Sequence, residues 1–426
     1  MTLLDRKLAP AIQAMDHFKA TNPEKIILDN GIPVYIINKG TQDLVRISLI
    51  FGAGAWYENE PFTAQATNLM LREGTTNFHS EEIDEKLDFY GAYLETSVES
   101  DNSYVSLYAL NKHVNELLPL LNEIITMPNF PEKEFKVMIG RQKQYLAVNE
   151  QKVNYIARTR FAALIFGHEH PYGTYRQKEH LDKAITGALK SFHLSHYTPQ
   201  NCKIVVAGKI TNELIQLLNE TVGSSWWRDQ PLQIRKFNCH PDADKKHFIQ
   251  RKDALQAAIR IGKQLFNRTH ADFLGMQVLN TILGGYFGSR LMTNLREDKG
   301  YTYGIGSALI SLQHSGNFFI TGEVGADVAK QAATEIYKEI DRLRNDLVPA
   351  AELSLVKSYM LGKFLRSVDG AFAMADMFMS VMETGLDMSF YNNYTEVIRS
   401  ISASELRDLA QEYFDPATFY ELIVGK

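Results

Sequence analysis

Arg296 and Tyr303 are the two residues of this chain whose types and spacing best suit chemistry on a polar substrate. They lie seven residues apart within residues 279–307, which read LNTILGGYFGSRLMTNLREDKGYTYGIGS. A guanidinium offers a rigid fork of donors and a phenol offers a single hydroxyl donor. Facing one cavity, the two could hold a substrate carbonyl and stabilise the negative charge that grows on it during acyl transfer. Residue chemistry alone leaves a surface charge and a strand aromatic as equally good interpretations.

The surrounding segment resembles the C-terminal signature of the pitrilysin and mitochondrial-processing-peptidase superfamily. The resemblance is carried by Gly-Gly-x-Phe-x-Ser-Arg-Leu at residues 284–291 and by Leu-Arg-Glu-x-Lys-Gly-x-x-Tyr at residues 295–303. Members of this superfamily are zinc peptidases whose metal site is His-x-x-Glu-His. That motif occurs nowhere in the 426 residues. The chain therefore resembles a member that has lost its metal site.

The same resemblance indicates where the zinc site would have been. Counting back from the Gly-Thr step at residues 74–75 places the motif on Gln65, Asn68 and Leu69. Leu69 offers no ligand atom to zinc, and the amide of Asn68 cannot act as a general base. The third family ligand is a glutamate expected within residues 142–145, which read Gln-Lys-Gln-Tyr. We therefore predict that this chain binds no metal and no other cofactor.

Two pairs of histidines are weaker candidates for a metal site. His168 and His170 alternate in a sequence typical of a loop, and His193 and His196 lie one helical turn apart. Neither pair has an acidic ligand at the spacing that zinc peptidases use. A turn or surface role is the better interpretation for the first pair, and packing for the second. No Gly-x-Ser-x-Gly elbow and no Walker loop is present.

Composition limits the classes of partner. The net charge of −5 and the pI near 6.2 argue against nucleic acid or an anionic membrane as the main partner. Cys202 and Cys239 form neither a zinc pattern nor a disulfide framework, which is typical of a reducing compartment. The first residues lack the order of a secretory signal, and no apolar run approaches the ~20 residues of a spanning helix. A cytoplasmic location is expected.

The chain repeats one plan in two halves. Residues 196–209 and 412–426 each place an aromatic residue and a proline after a helical pattern, followed by a β-rich run that ends in Gly-Lys. We predict a peptidase-like domain at 1–222, a linker at 223–235 and a second peptidase-like domain at 236–426. The predicted fold class is α+β, with two homologous domains, each an antiparallel-rich sheet covered on one face by helices.

Periodicity predicts the main elements of both halves. Strands are predicted at 44–51 and 255–262, and helices at 63–72, 114–125, 136–166, 271–283, 328–343 and 351–364.

The resemblance implies a function in a two-chain peptidase. In such enzymes one chain bears the zinc helix, and a similar chain without it supplies the Arg and the Tyr. The expected partner is thus a homologous zinc-bearing subunit that hydrolyses peptides, with Arg296 and Tyr303 binding the substrate and stabilising the transition state. Two alternatives remain open from the sequence: a structural or assembly subunit with the same fold, and a peptide-binding homodimer.

Overall fold

A computed structural model describes residues 19–224 and 235–426, and it divides these residues between two mixed sheets. The strands of the first sheet are β1 Glu24–Ile27, β2 Pro33–Asn38, β3 Leu44–Phe51, β4 Tyr93–Val98, β5 Ser103–Leu110 and β6 Cys202–Gly208. The strands of the second sheet are β7 Lys246–Gln250, β8 Gln256–Leu265, β9 Thr302–Ser311, β10 Gly316–Gly325 and β11 Tyr420–Gly425.

The two sheets have the same topology, as the repeat predicts. The first runs β1-β2-β6-β3-β5-β4 and the second runs β7-β11-β8-β10-β9. In each sheet the last strand of the half pairs in parallel with its first long strand, and the remaining pairs are antiparallel. Apart from β1, every strand of the first half therefore has an equivalent in the second. The predicted linker lies almost entirely outside the described residues, so the domain boundaries stay a prediction.

Helices complete both halves. Those of the first half are α1 Thr63–Met70, α2 Ser80–Phe89, α3 Val114–Thr126, α4 Glu132–Asn149, α5 Val153–Phe166, α6 Lys178–Lys183, α7 Thr186–His196 and α8 Asn212–Thr221. Those of the second half are α9 Phe273–Asn280, α10 Ala329–Asn345, α11 Ala350–Ser367, α12 Ala371–Met382, α13 Ser389–Ser400 and α14 Ala403–Tyr413. No helix within these described ranges has both the length and the apolarity needed to cross a membrane.

The helical region predicted at 136–166 is present, although not as one continuous helix. Two helices, α4 and α5, cover it, with a break at residues 150–152. The break exists because α4 packs into its own half through Leu146, whereas α5 turns away to pack elsewhere through Ala157 and Phe161. No proline or glycine marks the turn. The other predicted strands and helices are present, and their ends lie within three residues of the predicted ones.

One face of each sheet packs against helices of its own half. Strand β3 reads LVRISLIF, so its alternate residues Ile47, Leu49 and Phe51 point into the first core with α3 and α7. In the second half Ile259 and Ile261 of β8 do the same against α9, α10 and α14. These two cores confirm the predicted layering of helices on one face of each sheet.

The opposite face of each sheet is covered by a helix from the other half. Helix α5 of the first half places Ala157 and Phe161 against Leu422 and Val424 of β11. Helix α12 of the second half packs against the first sheet in the same way, in a cluster that includes Phe378. The helices are equivalent, because each follows an 18-residue helix and a three-residue connection. Exchange of these two helices joins the halves.

Candidate functional site

Arg296 lies on a short π-helical segment, Met292–Asp298, that is tied to helix α10. The side-chain amide of Asn294 donates to Oε1 of the buried Glu339 at 2.7 Å, and Leu295 is fully buried beneath the segment. Gly300 then takes a φ of +64°, in the left-handed region that favours glycine. This turn brings the chain back into strand β9, so that residue 303 returns beside residue 296.

Tyr303 lies in an irregularity of strand β9. The register between β9 and β10 shifts between Gly322 and Val324, and the two residues pair with Ile305 and Thr302, so β9 has one extra residue there. The hydroxyl of Thr302 anchors the irregularity by donating to the carbonyl of Glu323 at 2.6 Å. A bulge of this kind re-aims a side chain. Tyr303 accordingly points outward and is 88% exposed.

The structure brings Arg296 and Tyr303 together and adds a third residue, Phe287. The guanidinium carbon of Arg296 lies 5.3 Å from the ring centre of Tyr303 and 4.5 Å from that of Phe287. Both distances are within the range of cation–π attraction. Phe287 is itself 64% exposed. Sequence reasoning did not select Phe287, although it is the Phe of the Gly-Gly-x-Phe signature.

Other residues of the signature hold the site in place. Arg290 makes a two-bond ion pair with Glu352 of α11, with Nε and Nη2 each 2.9 Å from a carboxylate oxygen. A Cβ at Gly284 would lie 2.6 Å from the backbone nitrogen of Ser307, so only glycine allows this close approach to β9.

Among the described residues the pair lies at the surface, whereas the sequence predicted that it would face a cavity. Tyr303 and Phe287 lie on the open surface, and the guanidinium of Arg296 has no carboxylate within 4.0 Å among the described residues. An exposed aromatic pair flanking an arginine without an ion pair is a surface suited to contact another molecule.

The predicted zinc-site positions lie beside an arginine. Nη2 of Arg176 donates to the side-chain oxygen of Gln65, and Nη1 donates to that of Gln142 at 2.7 Å. One guanidinium thus joins the first predicted ligand position on α1 with the window at 142–145 on α4. It also lies 4.2 Å from the ring centre of Phe62. Sequence reasoning missed Arg176, because it lies 111 residues from Gln65.

The other two positions do not offer a metal site either. Asn68 is buried, and its side-chain nitrogen donates to the hydroxyl of Tyr197 at 3.2 Å and to the carbonyl of Tyr104 at 3.3 Å. Leu69 is a partly buried hydrocarbon side chain. Across the described residues no group of three His, Cys, Asp or Glu side chains is arranged to hold a metal. The donor set and the cationic Arg176 therefore do not fit zinc.

A cavity of about 780 Å³ lies in front of α1. Its lining includes Gln65, Arg176 and residues 98–100 at the end of β4. Glu58 also lines it, and its carboxylate accepts from the backbone nitrogens of Phe62 at 3.2 Å and Ala64 at 3.0 Å. Burial raises the pKa of Glu58 to about 7. The cavity is thus polar, and its wall holds a carboxyl group whose pKa burial raises toward neutral pH.

The histidine pairs pack rather than chelate. His170 is buried, stacks on Phe166, and its Nδ1 accepts from the backbone nitrogen of Tyr172 at 3.1 Å. Nε2 of His193 lies 2.6 Å from the carbonyl of Ile125, and burial lowers the pKa of His193 to about 4.

Rebuilding the zinc ligands should succeed only when Arg176 is also replaced. We expect Gln65→His, Leu69→His and Gln142→Glu together to bind zinc at least about tenfold more tightly with Arg176→Ala than without it, because the guanidinium repels the metal. Calorimetric titration with zinc measures the difference. Arg72→Ala, on the same stretch of chain and paired with Asp84, is the matched control. Equal zinc affinity with and without Arg176 would show that the guanidinium is not the obstacle.

Comparison with known proteins identifies the family. The family model described as "Insulinase (Peptidase family M16)" matches residues 33–172, and the one described as "Peptidase M16 inactive domain" matches residues 186–360. An uncharacterized zinc protease, YmxG, of Bacillus subtilis is 26% identical over 345 residues, which span 80% of this chain and 83% of that protein.

Solved structures show the same fold over nearly the whole chain. The M16 inactive domain from Pseudomonas fluorescens superposes with a TM-score of 0.87 at 20% identity, covering 95% of this chain and 98% of that one. A protease from Helicobacter pylori gives a TM-score of 0.87 at 17% identity, covering 95% and 100%. With no zinc ligands at the expected positions, the chain belongs to the insulinase, or M16, family of peptidases as a member of its inactive type.

Proposed function

We propose that this chain is the zinc-free subunit of a two-chain peptidase. It would supply Arg296 and Tyr303 to a homologous subunit that holds the zinc and hydrolyses the peptide bond. The chain itself would contribute substrate binding and transition-state stabilisation rather than activation of water.

The observation that carries the proposal is the outward presentation of the pair. A guanidinium without a carboxylate partner among the described residues lies against two exposed aromatic rings, and the neighbouring fold holds all three in place. A side chain retained for packing would be buried, and Tyr303 is 88% exposed. Exposed aromatic rings beside a cation suit contact with a second molecule, which in this proposal is the zinc-bearing subunit.

The chemistry follows from the donor types. Zinc in the partner would activate the attacking water and polarise the scissile carbonyl. The hydroxyl of Tyr303 can donate to the oxyanion of the tetrahedral intermediate, and the guanidinium of Arg296 can donate to the substrate backbone. These donors need no proton transfer of their own, since they stabilise charge and do not generate the nucleophile.

Purified alone, the chain is expected to bind no stoichiometric zinc and to cleave no peptide. The ligand positions hold amides and a leucine, and Arg176 donates to two of the amides. Metal analysis of protein prepared without chelator checks the first part, and a fluorogenic peptide library checks the second. One zinc per chain would contradict it.

Reconstitution tests the proposal itself. A zinc-bearing homologue encoded by a neighbouring gene is mixed with this chain, and peptide hydrolysis is compared with that of each chain alone. We expect activity that needs both chains and is lost on chelation. A complex that forms but gains no activity would support the structural-subunit alternative, and self-association alone with peptide binding would support the homodimer.

A further inference from the structure

The exchange of helices places a buried arginine beneath each exchanged helix. Arg46 on β3 and Arg260 on β8 lie on the sheet faces covered by α12 and α5, and each is 8% exposed. The strand registers place Arg260 two residues further along its strand than Arg46, at the position equivalent to Ser48. Each guanidinium also stacks on a ring, Arg46 on Tyr108 and Arg260 on Phe319.

The two arginines differ in their counter-charge. Nη1 of Arg46 lies 2.5 Å from the carboxylate of Asp376 on α12, and its Nε donates to Ser48. Arg260 has no carboxylate within 4.0 Å in the described part of the chain, and its buried Nε has no hydrogen-bond partner there. A buried charge without a partner is costly, so this difference needs a physical reason.

The position on α5 that is equivalent to Asp376 of α12 holds a positive charge, so it cannot neutralise Arg260. Pro131 and Pro349 each precede an 18-residue helix, and counting on from these prolines makes Arg158 of α5 the equivalent of Asp376 of α12. Burial, and secondarily the charge of Arg158, lower the pKa of Arg260 to about 10. The contact of α12 with the first sheet therefore contains an ion pair, whereas the contact of α5 with the second sheet contains two arginines, Arg158 and Arg260.

A groove opens where the second contact lacks its anion. Its volume is about 700 Å³, and Arg158, Arg260 and Lys152 line it together with Tyr145 and Leu255. Leu255 is 91% exposed and Tyr145 is 53% exposed, so the groove is open to a ligand with an apolar part.

Glu323 is the acidic residue that lines this groove, and it does not neutralise the arginines. Its Oε1 accepts from the side-chain nitrogen of Asn154 at 3.1 Å, and it lies outside ion-pair distance of both guanidinium groups. The groove among the described residues thus has an excess of positive charge.

We propose that this groove between the two halves binds a carboxylate of a peptide, held by Arg158 and Arg260 as the carboxylate of Asp376 is held by Arg46. Arginine forks suit this role because two parallel N–H donors match the two oxygens of a carboxylate. The carboxylate of the ligand would give Arg260 the negative charge that Asp376 of α12 gives Arg46. The groove reaches strand β10 at Glu323, whose carbonyl accepts from Thr302 of β9, but the inference is argued from Arg158 and Arg260 and does not depend on the proposed function.

The test uses the full chain alone and three acetylated peptide probes. The first is an acetylated and amidated peptide with one central Glu, the second has Gln in its place, and the third is the Gln peptide with a free carboxyl terminus. We expect the wild type to bind the first or the third peptide more tightly than the second, and this comparison distinguishes a side-chain carboxylate from a terminal one. Fluorescence anisotropy gives each Kd.

Arg158→Glu should place a carboxylate of the chain itself beside Arg260 and so remove the preference for carboxylate peptides. We expect its affinity for the preferred carboxylate peptide to fall by about 10- to 100-fold, which corresponds to the free energy of one hydrogen bond to a charged group. Its melting temperature should rise, because Arg260 gains a partner. Arg158→Gln, which removes one charge without adding another, should weaken carboxylate binding without the rise in melting temperature. Asp376→Arg, at the equivalent position of the other half, is the matched control and should leave the preference intact.

The opposite results would overturn the inference. They are a wild type that binds all three peptides equally, or an Arg158→Glu variant that keeps the carboxylate preference. Because no zinc-bearing partner is present, neither result bears on the peptidase activity proposed above.

Discussion

Replacing Tyr303 by phenylalanine is expected to lower kcat of the reconstituted peptidase by roughly 10²–10³, the usual cost of losing one oxyanion donor. The substitution removes the hydroxyl and keeps the ring, so the cation–π contact with Arg296 at 5.3 Å should persist. Assembly with the zinc-bearing subunit should therefore be unchanged. Steady-state peptidase kinetics beside gel filtration of the mixed complex measure both effects.

A matched control distinguishes loss of the Tyr303 hydroxyl from loss of an exposed tyrosine hydroxyl elsewhere on the chain. Tyr93 is 62% exposed on β4 of the other half, and Tyr93→Phe should leave kcat unchanged. Arg296→Ala should lower kcat and also raise KM, because it removes a charge that binds the substrate backbone. If the Tyr303 and Arg296 variants both assemble and cleave at wild-type rates, the pair has no catalytic role, and the structural-subunit interpretation replaces it.

Phe161→Ala is expected to reduce the free energy of unfolding by about 3–5 kcal/mol, the usual cost of deleting a large core side chain. Phe161 is 2% exposed on helix α5, and it packs across the halves against the second sheet. Its loss leaves a cavity between the halves rather than within one of them. Denaturant unfolding followed by circular dichroism and by tryptophan fluorescence measures the loss.

Phe89→Ala is the control for this prediction, since Phe89 is 82% exposed at the end of α2. Its effect should stay within about 0.5 kcal/mol. Similar effects of the two substitutions would mean that α5 does not stabilise the contact between the halves.

The two halves are expected to unfold together. Because each exchanged helix belongs to one half and packs on the other sheet, loosening one half exposes apolar surface of both. The two probes should therefore give coincident transitions in the wild type.

The sequence determined the elements and their repetition. Strand β3 was predicted with its observed bounds because LVRISLIF is mostly apolar, alternates along its length, and lies between Asp43 and Gly52. The repeated endings predicted two equivalent sheets, because a strand and its closing Gly-Lys are local in sequence. The signature around Arg296 and Tyr303 also gave their proximity, since seven residues and one left-handed glycine suffice to join them.

Tertiary structure alone decided three features. The sequence predicted one helical region across α4 and α5 because both have helical periodicity, and only the choice of packing partner separates the two helices. Arg176 reached Gln65 and Gln142 from a distant loop, a contact that no local spacing encodes. The contrast between Arg46 with Asp376 and Arg260 with Arg158 arises from the exchange of helices. The charge a residue meets across a domain contact depends on which elements pack together, and residue spacing along the chain does not specify this.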